Sequence, residues 1–278
     1  IDRQDMFGSL LFPREEKDVY PLVVCFHGSM GWRGHHHEHI VNFLNAGMAV
    51  FRVHSFEARQ VSSVVEDQMQ VTLASMISDA YNALILLNNH PKIDPKRIAI
   101  SGWSLGGSTS LYSAWEPLAA KLAPNGERFK AHLAFYPAAH IWTEEMSWGN
   151  APILTLTGEI DDYTPPILIR KLSKAINENS GNINVIYYPD SHHAFDSIEP
   201  INYVANAITA GERHSFIDKE GNLYFENSEG KRFLLNEPNE RISLFQESKN
   251  IKGAHLGVNW DTREKSMEDA VIFLLDNL

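Results

Sequence analysis

Apolar residues along this chain follow two alternating rhythms. Short β-branched and aliphatic runs are separated by longer stretches in which apolar residues recur every three or four positions. That is the pattern of a mostly parallel, twisted sheet covered by helices. Tyr20 to His27 (YPLVVCFH) reads as a buried strand ending at Gly28. Between His36 and Ala46, Ile40, Phe43 and Leu44 fall at helical spacing, and Gly47 supplies a stop. Ala49–Val53 is a second strand. Val71–Asn89 carries Leu73, Ile77, Ala80, Leu84 and Leu87 at helical spacing and ends at the Asn-His-Pro of residues 89–91. Further strands are expected at Arg97–Ser101, Ala131–Tyr136, Pro152–Thr157 and Ile183–Tyr188, and helices at Ser104–Trp115, Pro165–Asn177 and Arg263–Leu275. Residues 200 to about 256 break the rhythm, being polar and rich in Glu, Asn and Lys. Turn signals at Glu220-Gly221-Asn222 and Ser228-Glu229-Gly230 divide short strand-like runs there. This stretch predicts a small β-meander inserted before the last helix of one α/β domain spanning residues 1–278.

Composition narrows the function. With 24 Lys+Arg against 35 Asp+Glu, the net charge is −11 and no basic run offsets it, which argues against a nucleic-acid partner. The one cysteine, Cys25, excludes an intramolecular disulfide and sits in an apolar strand, where an inert buried role is expected. No apolar run approaches the ~18 residues needed to span a bilayer. The chain begins at Ile1 rather than Met, as after removal of a leader or of expression residues. A soluble protein, cytoplasmic or exported, is the expectation, and nothing in the sequence specifies its oligomeric state.

The candidate chemistry lies at RIAISGWSLGGSTSLYSAW, residues 97–115. Gly102-Trp103-Ser104-Leu105-Gly106 follows an expected strand and opens an expected helix, the setting a nucleophile elbow requires. Glycines flanking the serine let backbone pass close by, and the helix N-terminus favours developing negative charge. A serine hydroxyl needs a base to take its proton and a third group to hold that base. Aspartates and then histidines follow later strands in that order: Asp161 and Asp162 in GEIDDYTPP, then His192 and His193 in YPDSHHAF. One oxyanion donor would be the N–H of Leu105. The other would come from the loop Phe26-His27-Gly28-Ser29-Met30-Gly31, through Ser29 or alternatively Met30.

With these segments in hand, the chain resembles the dienelactone hydrolase family of α/β-hydrolases, in its serine-nucleophile branch. The resemblance rests on FHGSMGWRGHH, the Arg59 segment, HPKIDPKRIAISGWSLGG, GEIDDYTPP and YPDSHHAF, and covers about residues 20–200. It implies an α/β-hydrolase fold with the site at the strand C-terminal ends, and no cofactor. By the family's pattern the acid is Asp161, with Asp162 as its competitor, and the base is His193. His192 then stands where a small residue is usual. Dienelactone hydrolases themselves use cysteine, so Ser104 points to an ordinary carboxylic ester as the small-molecule substrate. A serine peptidase or amidase, and a non-catalytic binding protein of the same fold, are the competing readings.

Other features are weighed against plainer roles. His35 and His39 have the spacing of a two-histidine ligand pair, but no third ligand can be named, so no metal is expected. Arg59 could bind a substrate carboxylate or anchor its own loop. Trp103, with Trp32, Trp142 and Trp148, could line an aromatic pocket. The insertion follows the histidine loop directly and is expected to shape specificity.

Overall fold

A computed structural model describes residues 5–209, 211–212, 214–226, 230–237, 239–241 and 252–278. Its main sheet has seven strands in the order β1-β3-β2-β4-β5-β7-β8. They are β1 (Gly8–Leu11), β2 (Tyr20–Phe26), β3 (Ala49–Val53), β4 (Ile93–Trp103), β5 (His132–Phe135), β7 (Ile153–Gly158) and β8 (Ile183–Tyr188). Only β1, at one edge, runs antiparallel to its neighbour. The sequence pattern anticipates every parallel strand and misses β1, a four-residue segment whose side chains are all only half-buried.

Alternation along β2 shows why the sheet is covered on both faces. Leu22, Val24 and Phe26 enter one apolar cluster, and Val23 and Cys25 enter the other. The first cluster packs against α2 (Leu73–Leu87), α3 (Leu105–Tyr112), α4 (Glu116–Leu122) and α5 (Pro166–Glu178). The second packs against α1 (Gly34–Asn45) and α6 (Trp260–Asn277). Each aliphatic side chain fully buried this way contributes roughly 1.5–3 kcal/mol. Cys25 is completely buried in β2, where desolvation pushes its thiol far up, so it is inert.

Polar caps set two helix starts. Thr72 accepts a hydrogen bond from the Ser75 N–H at α2, and Asn259 accepts one from the Thr262 N–H at α6. The helix expected over Ser104–Trp115 ends at Tyr112 and is followed by α4. Among the described residues, no helix is long and apolar enough to cross a membrane.

The stretch from residue 200 builds two structures rather than one meander. β9 (Asn202–Ile208) pairs antiparallel with β13 (Lys252–Leu256). β10 (Ser215–Ile217), β11 (Leu223–Glu226) and β12 (Arg232–Leu234) do form a meander, but β10 also pairs parallel with β6 (Ile141–Thr143). The turn at Glu220-Gly221-Asn222 joins β10 to β11, whereas Ser228 and Glu229 of the second expected turn lie outside the described residues.

Candidate active site

Strand β4 runs into α3 through Ser104, whose backbone is held at φ 55°, ψ −111°. This left-handed conformation is strained for a side-chain-bearing residue and persists only because its surroundings fix it. A Cβ at Gly102 would stand 2.2 Å from the Gly106 carbonyl oxygen, and one at Gly106 would stand 2.3 Å from that of Phe26. Both glycines are therefore required by close backbone approach. The turn is pinned further by hydrogen bonds from Ser104 N–H to the Phe135 carbonyl at 3.0 Å and from Ser108 N–H to the Ser104 carbonyl at 2.8 Å.

Three expected residues meet at this turn. His193 Nε2 lies 2.9 Å from Ser104 Oγ, and His193 Nδ1 lies 2.8 Å from Asp161 Oδ2. Asp161 and His193 are almost wholly buried. Asp161 Oδ1 accepts the N–H groups of Tyr163 and Thr164, both at 2.8 Å, while Oδ2 also accepts the Thr164 hydroxyl at 2.8 Å. Its lone pairs are thus directed by its own loop. Asp162 faces away, accepting from the His255 backbone N–H at 2.8 Å and lying 2.7 Å from His255 Nδ1. Between the two aspartates, geometry selects Asp161.

The remaining expectations divide. Ser29 lines the cleft beside Ser104, as does Met30, and Leu105 is the first residue of α3, where its N–H has no acceptor within the helix. Trp103 borders the cleft but is fully buried beneath it, stacked on Phe135 and donating its indole N–H to Asp196 at 3.1 Å. It is a floor residue without a surface to offer a ligand. Trp32, Trp142 and Trp148 are not among the cleft residues, because Trp32 packs on His27, Trp142 lies on β6, and Trp148 packs on Tyr112. The aromatic wall is made instead by Tyr136 and Tyr163, whose rings lie 4.5 and 4.7 Å from that of His193.

Arg59 is a correction. Its guanidinium makes two bonds to Asp79, at 2.8 and 2.9 Å, and a third to the Ser55 carbonyl at 2.9 Å. It anchors the loop after β3 and does not line the cleft. The pair His35–His39 also separates. His39 is buried with Nε2 3.0 Å from Asp196 Oδ2, while His35 lines the cleft with His36. Burial lowers the basicity of both His35 and His36, so the cleft faces neutral imidazoles.

Asp196 and Thr164 went unrecognised in the sequence. Asp196 also accepts the Tyr136 hydroxyl at 2.8 Å, so one buried carboxylate fixes Trp103, Tyr136 and His39 under the site. Burial alone would raise its carboxyl, but the histidines around it, foremost His35 and the hydrogen-bonded His39, outweigh that and hold it below the ordinary carboxylate range. A lone Asp after Phe195 carries no local signal of this convergence. Thr164 could have been found from the Asx-turn pattern of Asp161-Asp162-Tyr163-Thr164.

The cleft itself is small, about 50 Å³, and mostly apolar. Val204 and Ala207 of β9 and Leu256 of β13 form one side of it, so the insertion supplies a wall. Gly257 N–H donates to the His193 carbonyl at 2.9 Å, which ties that wall to the histidine loop.

The family profile of the dienelactone hydrolases matches residues 7–217, a range that includes β1, Ser104, Asp161 and His193. The chain belongs to the dienelactone hydrolase family. Family and fold make it an ester hydrolase of the α/β-hydrolase class. Structures of esterase 2 from Thermogutta terrifontis share the fold. The propionate-bound form is 19% identical with a TM-score of 0.55, over 70% of this chain and 82% of that one. The butyrate-bound form is 19% identical with a TM-score of 0.54 and the same coverage. The form phosphoramylated by tabun is 20% identical with a TM-score of 0.54, again over 70% and 82%. No curated protein matched the chain.

Proposed function

We propose that this ester hydrolase is a serine carboxylesterase acting through an acyl-enzyme, with Ser104 as nucleophile, His193 as base and Asp161 as its orienting acid. The observation that carries the reading is the 2.9 Å contact between Ser104 Oγ and His193 Nε2, made from a strained elbow. Ser104 Oγ attacks the ester carbonyl while its proton passes to His193 Nε2. The carbonyl π electrons move onto oxygen, and the oxyanion is met by the N–H groups of Leu105 and Ser29 at the positive end of α3. On collapse the C–O bond to the alcohol breaks, and His193 returns the proton to the leaving alkoxide. Water, deprotonated by the same imidazole, then attacks the acyl carbonyl; on collapse the C–O bond to Ser104 breaks, and His193 returns the proton to Ser104 Oγ as the acid leaves. Asp161 holds the Nδ1–H tautomer and stabilises the imidazolium at each stage.

The cleft supports a short acyl group. Its size and its walls of Val204, Ala207 and Leu256 suit an acyl chain of a few carbons. Tyr163 offers a further donor. Burial pushes its phenol up to about 12, against the opposing effect of its hydrogen bond with Ser29, so the hydroxyl keeps its proton at the cleft wall.

The test is hydrolysis of p-nitrophenyl esters from acetyl to dodecanoyl by wild type and Ser104→Ala, with a p-nitroanilide of the best acyl group beside them. Activity highest on short esters, and reduced on the order of 10³-fold or more in the variant, is the expected result. Undiminished activity in Ser104→Ala would overturn the mechanism. Faster anilide than ester cleavage would favour an amidase.

A further inference from the structure

We propose that Asp162, His192 and His255 form a divalent-cation site of the zinc type, which ties the inserted strand β13 to the two loops carrying Asp161 and His193. This goes beyond the esterase reading and does not depend on it. Each of the three residues offers one ligand atom, and these atoms lie within 4.8 Å of one another. Among the described residues no other group of three His, Cys, Asp or Glu side chains has this geometry. Two imidazoles and one carboxylate suit zinc and its neighbours better than calcium or magnesium, which prefer all-oxygen sets.

The surroundings are arranged for ligation. His192 Nδ1 is buried with no hydrogen-bond partner, and its ring lies 5.1 Å from that of His255. An imidazole nitrogen in that condition is under-used in the metal-free protein and gains most from a Lewis acid. Asp162 Oδ2 and His255 Nδ1 are already 2.7 Å apart, sharing a proton where a cation would sit between them. The backbone N–H of His255 holds Asp162 Oδ1 at 2.8 Å, and Tyr203 packs on the His255 ring at 5.0 Å, so both ligands have outer support.

Tetrahedral zinc with bonds of about 2.1 Å keeps its ligands about 3.4 Å apart. Closure therefore requires small rotations of side chains that have room to move, since those of His255 and Asp162 are 43% and 44% exposed. With three protein ligands and water in the fourth position, the site would exchange its ion rather than hold it permanently. Asp162 and His192 each directly adjoin a proposed triad residue, so bound metal would stiffen both loops and the strand that walls the cleft.

The experiment uses tag-free, chelator-treated full-length protein and zinc chloride in isothermal titration calorimetry, with cobalt chloride followed in the visible spectrum. Expected are one equivalent of zinc, a d–d absorption of four-coordinate cobalt, and a Tm raised by several degrees at saturation. His255→Ala and Asp162→Asn should each weaken zinc at least about tenfold, while His37→Ala should not. Unchanged far-ultraviolet circular dichroism confirms that the variants fold. No saturable zinc binding by wild type, or binding unaffected by His255→Ala and Asp162→Asn, would overturn the proposal. Ester hydrolysis plays no part in these readouts, so a failure here leaves the esterase reading intact, and the reverse holds.

Discussion

Thr164 holds Asp161 toward His193: its hydroxyl lies 2.8 Å from Asp161 Oδ2 and 3.1 Å from His193 Nδ1, and its backbone N–H binds Asp161 Oδ1. In the proposed mechanism Thr164 is a positioning residue, acting through the Asp161 carboxylate rather than on substrate. Replacing it by valine keeps the shape and deletes the hydroxyl. Thr164→Val is expected to lower kcat about tenfold with KM little changed, and Thr164→Ser to restore most of the loss. Equal effects of valine and serine on KM alone would assign the hydroxyl to substrate binding instead.

Arg59 and Asp79 form a largely buried pair, with side chains 16% and 3% exposed. Removing the cation leaves a carboxylate whose remaining partner is the Ser55 hydroxyl at 2.7 Å. Arg59→Ala should therefore destabilise the fold by about 3 kcal/mol, since breaking a buried pair strands the other charge. Thermal unfolding would show this as a lowered Tm. The ratio of activities on acidic and neutral esters should not move. A changed ratio with unchanged Tm would return Arg59 to the substrate.

Acyl-chain preference should respond to the insertion. Leu256→Ala removes bulk from the cleft wall, and Ala207→Leu adds it at a position with no exposed surface. The first is expected to raise relative activity on hexanoyl over acetyl esters about tenfold, and the second to depress it. Kinetics across the p-nitrophenyl ester series check both. Unchanged ratios would make the insertion a decoration with respect to specificity.

Acid should unfold the protein through its buried imidazoles. His132, the first residue of β5, is 2% exposed against α3, bonded to the Ser110 carbonyl at 2.9 Å, and burial lowers it from 6.5 to about 4. The neutral ring is the form the fold accepts. Between pH 6.5 and about 4 the unfolded chain binds a proton that the folded chain does not, so stability is complete above 6.5 and falls as pH drops through that window. His132 alone contributes a loss of about 3 kcal/mol by pH 4. Tm measured by circular dichroism should fall most steeply there, and His132→Gln should flatten the slope despite a lower Tm at pH 7. A Tm independent of pH over that range would show that His132 is hydrated in the folded state.

The parallel strands were legible because their signal is local. Buried runs such as Tyr20–Phe26 are apolar whatever they pack against, and helices such as α2 carry their period in one stretch. β1 escaped because a four-residue edge strand buries too little to show an apolar run. The inserted strands misled because pairing is a long-range choice: β9 finds β13 across more than forty residues, and β10 finds β6 from before the insertion.

By itself the sequence determined the elbow, because Gly102, Ser104 and Gly106 stand at fixed spacing between one strand and one helix, although the need for glycine at 106 comes from the Phe26 carbonyl of the neighbouring strand. It also determined the order in which acid and base must follow. Only the tertiary structure decided which aspartate meets His193, what Arg59 holds, and that Trp103 lies under the site rather than in it. It alone brought His255 to Asp162 and His192. Each of these depends on side chains far apart in the chain competing for the same buried partner, and the winner is set by packing, which no local pattern encodes.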